Sequence, residues 1–214
     1  MKNALFAVVA TLLLPSLTLA QSVLDGEVLA LKQSWAQANY HSPDKAQKVQ
    51  SLEALGTRAH ALVERYPQKA EPLIWEGIVL SSYADAKGGL GALGAAKQAK
   101  VLFEQAIKLD ERALDGSALA SLGVLYSKVP GFPIGFGDDK KARQLLERAM
   151  AVNPDGIDSN YFYGEFLADH HDEAGARQHL QKALQAPARS GQEVADQGRR
   201  QQVATLLARL DKKI

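Results

Sequence analysis

The sequence predicts an all-α fold, a solenoid of stacked helical hairpins, and three observations carry that expectation. Leu119, Leu122, Gly123 and Tyr126 are followed by Ala142, Leu146, Ala149 and Pro154, two stripes at helical spacing with small residues at fixed places. In such a register the Gly and the two Ala let paired helices approach, the large residues fill the space between them, and Pro stops the second helix. The same spacing returns on both sides of this segment. No convincing strand pattern interrupts it.

In chain order, the first twenty residues stand apart from the repeats. Lys2 precedes an apolar run from Ala4 to Leu14, and Thr18-Leu19-Ala20 forms a small-residue cleavage site before Gln21. The run is too short for a membrane span, so 1–20 is expected to be a secretory signal peptide and 21–214 a single periplasmic domain. No Cys follows to carry a lipid anchor or a disulfide. Without Lys2, 24 basic residues face 24 acidic ones. That balance argues against nucleic acid or an anionic bilayer as partner. No later stretch reaches the ~18 apolar residues that a membrane span needs.

Residues 22–67 read as a degenerate hairpin. Val28, Leu31 and Trp35 lie at helical spacing within 23–39. Ser42-Pro43-Asp44 opens a second helix, with Ser42 as the expected N-cap and Pro43 in the first turn. Leu52, Leu55, Leu62 and Tyr66 form its apolar stripe. In the next repeat, 72–111, Trp75, Ile78, Val79 and Ser82 are assigned to the first helix, Val79 standing where Gly is expected. Ala99, Phe103, Ala106 and Glu111 take the second-helix places. The repeat over 117–154 is the one already described. In the repeat over 158–188, Asn160, Tyr163, Gly164 and Leu167 lead to Ala176, Leu180 and Ala183. Finally Ser190 and Glu193 form an expected capping box, and Val203, Leu206, Leu207 and Leu210 stripe a capping helix over 190–212.

The stop positions Pro67, Glu111, Pro154 and Ala188 lie 44, 43 and 34 residues apart. A 34-residue period with this register resembles the tetratricopeptide repeat (TPR) superfamily. Each longer interval divides into two residues between repeats and an insertion, of eight or seven residues, between paired helices. Both insertions are therefore expected at one edge of the superhelix. An exported chain with enlarged loops and the junction Asn153-Pro154-Asp155-Gly156 also resembles the periplasmic TPR proteins associated with TRAP transporters, the T components. That resemblance implies a periplasmic solute-binding protein as partner, an apolar cavity and a homo-oligomer. The lipoprotein members carry an anchor cysteine that this chain lacks.

TPR geometry assigns Leu73, Glu76, Leu80 and Tyr83 to the concave groove, then Ala120, Val124 and Lys128, then Tyr161, Glu165 and Asp169. With Lys128 the only basic residue among them, a carboxylate clamp is not expected. The groove reads as apolar at one end and acidic at the other. The second insertion adds Phe132, Ile134 and Phe136 among two Pro and three Gly, in a loop that either packs back on the stack or meets a ligand or partner. Asp138 or Asp139 is expected to cap the helix that follows.

Other chemistry is sparse. Gly89 to Gly94 matches GxGxxG, but a dinucleotide site needs a preceding strand, and the register makes that segment helical. A tight turn or a helix extension is expected there, with no cofactor. Asp169-His170-His171-Asp172-Glu173, with His179 beyond, falls at a turn between helices and is read as polar turn chemistry, with no metal. No nucleophile elbow or HExxH pair points to an enzyme. The expected function is an adaptor that binds a partner protein through its groove and inserted loops. The alternative is a carrier of a small apolar ligand in a cavity closed by 130–137.

Overall fold

The computed structural model describes residues 14–212. Most of the expected leader thus lies outside the described residues, and its cleavage point after Ala20 falls in the first turns of helix α1 (Leu14–Tyr40). Eight further helices follow: α2 (Lys45–Arg65), α3 (Ala70–Lys87), α4 (Leu90–Asp110), α5 (Ser117–Lys128), α6 (Asp139–Val152), α7 (Ile157–Asp169), α8 (Glu173–Gln185) and α9 (Glu193–Asp211). The fold is an all-α solenoid. Among the described residues, no helix is long and apolar enough to cross a membrane.

Local chemistry fixes several helix starts. Asp44, Asp138 and Asp172 accept hydrogen bonds from the backbone N–H groups of Gln47, Lys141 and Gly175, each satisfying an otherwise orphaned donor. Ser42 is therefore not the cap of α2. Its hydroxyl donates to the Ala38 carbonyl at 2.7 Å and closes the end of α1 instead. The box expected from Ser190 and Glu193 does not form either. Gly191, at φ 71°, turns the chain there, and Glu193 accepts from the N–H of Gly191, so α9 opens three residues later than 190.

Packing within the hairpins follows from where the small residues sit. Phe103, Leu146 and Leu180 of the second helices are essentially inaccessible, each flanked by buried alanines. Gly123 faces Leu146 and Gly164 faces Leu180; a Cβ at either glycine would lie 2.8 or 3.0 Å from the leucine Cγ. The equivalent residue in the preceding hairpin is Gly77, whose added Cβ would lie 2.6 Å from Phe103. Val79 does not take this place, so the expected register of α3 is two residues late. The corrected spacing from Pro67 to Leu73 equals that from Pro154 to Asn160. The first insertion is accordingly ten residues in one piece, absorbed as extensions of α3 and α4 around Gly88 and Gly89, both at positive φ. Two extra residues do separate the next pair of repeats. They belong to the short 3₁₀ turn Ala113–Gly116, where Leu114 and Asp115 adopt left-handed backbone angles.

Helices α1, α3, α5, α7 and α9 contact one another in succession, and α9 returns to contact α1. The first helices thus form a closed inner ring, backed by α2, α4, α6 and α8. The final helix ends the stack and also closes the ring against α1. Val203, Leu206 and Leu210 bury against α7 and α8, while Val194 and Ala195 lean on the N-terminal core.

Candidate functional site

Four of the residues assigned to the groove come together inside the ring. Lys128, at the end of α5, places Nζ 2.7 Å from Asp169 and 3.4 Å from Glu165 on α7. The Tyr161 hydroxyl donates to Glu165 at 3.2 Å, and Arg209 of α9 approaches Asp169 at 3.7 Å. These α7 residues recur every four positions, one face of a helix. Burial works against the Lys128 ammonium, but Glu165 and Asp169 outweigh it and raise its pKa. Burial beside Glu165 pushes the Tyr161 phenol up. The acidic end of the groove is thereby neutralised from within.

Beside this group lies a network absent from the expected site. Asp158 accepts from Arg199 Nε and Arg189 Nη1, both at 2.7 Å, and Arg189 also donates through Nε to Asp196 at 2.7 Å. Arg199 stacks over Tyr161 and Phe162, 4.6 and 4.4 Å from the ring centroids, and donates to Gln202 Oε1 at 2.7 Å. The Tyr40 hydroxyl of α1 donates to the same Gln202 oxygen at 3.4 Å. Burial alone would raise the Asp158 carboxyl; Arg199 and Arg189 prevail and hold it at about 2. Burial likewise works against the Arg199 charge, yet Asp158 raises its pKa. One local signal for this network exists: Arg199 lies on the same face as Val203, Leu206 and Leu210, at positions i, i+4, i+7 and i+11. A charge on an apolar stripe implies a buried partner, but nothing local identifies that partner as a residue 41 positions away.

The residues assigned to the groove from α3 are displaced by the two-residue register error. Leu73 is buried in the core shared with α4, and Leu80 packs half-buried against it. Glu76 turns to α2, where Oε1 lies 2.9 Å from His60 Nδ1. Tyr83 packs against the N-terminal core, and its hydroxyl accepts from Lys87 Nζ at 2.6 Å. In the corrected register Ile74, Ile78 and Ser82 occupy the inner positions, and Ser82 Oγ accepts from Trp35 Nε1 of α1 at 2.8 Å. Val124 and Ala120 pack inside the stack and present no free surface comparable to the loop that follows.

The second insertion splits its three large residues. Backbone bonds pin it: Gly137 N to Pro130 O at 3.0 Å, Gly135 N to Gly131 O at 3.1 Å and Asp138 N to Tyr126 O at 2.9 Å. A side chain at Gly137 would collide with the Val129 carbonyl, so the tight return needs glycine there. Phe136 packs back, edge-on to Tyr126 with centroids 5.5 Å apart. Phe132 and Ile134 point outward and are 94% and 63% exposed. The histidine-rich turn is occupied internally: His170 Nε2 lies 3.2 Å from Asp139, Asp172 caps α8, and His179 Nδ1 lies 3.0 Å from Asn160 Oδ1.

The model of the TRAP transporter T-component family matches residues 30–213 of the chain. Among solved structures, a thermophilic TPR protein of Thermus thermophilus superposes with a TM-score of 0.57 at 16% identity, covering 91% of this chain and 96% of its own. That likeness shows a common fold. No curated protein matches the sequence.

Proposed function

The chain belongs to the TRAP transporter T-component family, and from that premise we propose that it is a periplasmic adaptor in solute transport. It docks a partner protein, a solute-binding protein of the transport system, on the loop between α5 and α6. The observation that carries this reading is the exposure of Phe132 and Ile134 on a loop pinned by its own backbone bonds. Burying one such side chain is worth about 1.5–3 kcal/mol, and a preformed loop loses little entropy on binding. No catalytic role is proposed, because the polar groups gathered inside the ring are engaged with one another.

A carrier role would need 130–137 to close over an apolar cavity. Phe132 and Ile134 stand outside instead, which favours the adaptor. Co-purification of the protein and a Phe132→Ser/Ile134→Ser variant from envelope extracts of its own host tests the proposal. A defined solute-binding protein recovered with the parent and lost with the variant is expected. Equal recovery with both, or a bound apolar small molecule alone, contradicts it.

A further inference from the structure

The inner helices close into a ring, but the hydrophobic core does not. Ile78 and Leu114 pack against both the N-terminal core and the central one. Phe162 and Tyr163 likewise join the central core to the C-terminal one. The N-terminal core of α1–α3 and the C-terminal core of α7–α9 share no residue, although α1 and α9 touch. From α9 the half-buried Val194 and Ala195 lean on the N-terminal core, and Gly198 lies against the ring of Tyr40 at its rim.

Small apolar contacts and a few polar bonds hold this seam, with the Tyr40 ring seated on Gly198 and Leu29 beside Gly191. Gln33 Nε2 donates to the Gly191 carbonyl at 3.0 Å, and the longer bond from Tyr40 to Gln202 crosses nearby. A cleft of about 270 Å³ lies in the seam, with polar walls from Lys32, Gln33 and Gln192 and apolar ones from Ala36, Val194 and Ala195. The opposite side of α9 differs in kind, because its fully buried apolar side chains belong to the C-terminal core. Arg199 bonds Asp158 of α7, Arg200 donates to the Ala186 carbonyl at 2.7 Å, Arg177 of α8 pairs with Asp211, and three apolar side chains are buried. Contacts in water between polar groups are individually weak in net terms, whereas a continuous apolar core separates only at large cost.

We infer that the ring opens at the seam between α1 and α9, with α9 moving as one body with α7 and α8. Opening there exposes the inner faces of α3, α5 and α7 and releases Val194 and Ala195 from the rim of the N-terminal core, while the buried residues of each core stay together. This device does not depend on what docks at the α5–α6 loop.

The chain has no cysteine, so paired spin labels report distances without background. Gln37→Cys/Gln197→Cys spans the seam between exposed sites, and Gln178→Cys/Gln201→Cys spans α8 and α9. The seam pair is expected to show a second, longer distance, and the control pair a single narrow one. Gly198→Ala acts as a wedge, since its Cβ would meet the Tyr40 ring at 2.4 Å. It should raise the long-distance fraction at least about fivefold while leaving the control pair unchanged. A single narrow seam distance in both the parent and the wedge variant overturns the inference. Joint broadening of both pairs also overturns it, because α9 would then be leaving α8.

Discussion

Gly77 of α3 lies against the ring of Phe103 of α4, so closely that a Cβ at position 77 would sit 2.6 Å from a ring carbon. Phe103 is wholly buried and has nowhere to retreat. Gly77→Ala should therefore destabilise by about 1–3 kcal/mol despite the better helix propensity of Ala. Gly94, in α4 with nothing within 4 Å of its virtual Cβ, should respond the opposite way. Gly94→Ala is expected to stabilise by up to about 1 kcal/mol. Urea unfolding of the two variants measures both signs.

Asp158 neutralises Arg199, whose side chain is 9% exposed. Asp158→Asn leaves that guanidinium without its carboxylate and should cost about 2–4 kcal/mol. Adding Arg199→Met should recover most of the loss, because an apolar side chain needs no counter-charge over Tyr161 and Phe162. A double variant no more stable than Asp158→Asn alone would contradict the pairing.

The depressed Asp158 pKa also makes stability depend on acid. Its contribution is complete above the ordinary carboxyl value of 3.8 and is lost as pH falls toward about 2. With the side chain one-third exposed, solvent screening leaves about 1–2 kcal/mol. Thermal unfolding between pH 5 and 2, compared with Asp158→Asn, should show the parent losing its advantage over that window.

The α5–α6 loop should separate stability from recognition. Phe136→Ala removes the ring packed on Tyr126 and is expected to cost about 1–3 kcal/mol. Phe132→Ala removes a side chain 94% exposed and should change stability by no more than about 0.5 kcal/mol. Thermal unfolding distinguishes them.

Much of this architecture was legible because a repeat states its own packing. Ala142, Leu146 and Ala149 of α6, and their counterparts in α4 and α8, are buried where the register places them. The register of α3 misled because Trp75, a large residue, resembled the first-helix anchor, whereas Leu73 and Gly77 hold those places and the informative contact is with Phe103. Close approach is a pairwise property, and a single helix does not display it. The ring closure was hidden for the same reason: Tyr40 meets Gly198 and Gln202 across more than 150 residues. Helical spacing puts Tyr161, Glu165 and Asp169 on one face, which is why they gather with Lys128 in the structure. In the second insertion, composition marked Phe132, Ile134 and Phe136 as unusual but could not say which would turn inward; backbone bonds among Pro130, Gly131, Gly135 and Gly137 decide that.

A photo-crosslinking residue in place of Phe132, introduced into the protein in its own host, tests the adaptor most directly. Irradiation should join it to one solute-binding protein, and the same probe at Leu184, an exposed apolar residue on α8, should not. Crosslinks at Leu184 but none at Phe132, or none to any envelope protein at either site, would contradict docking through the α5–α6 loop.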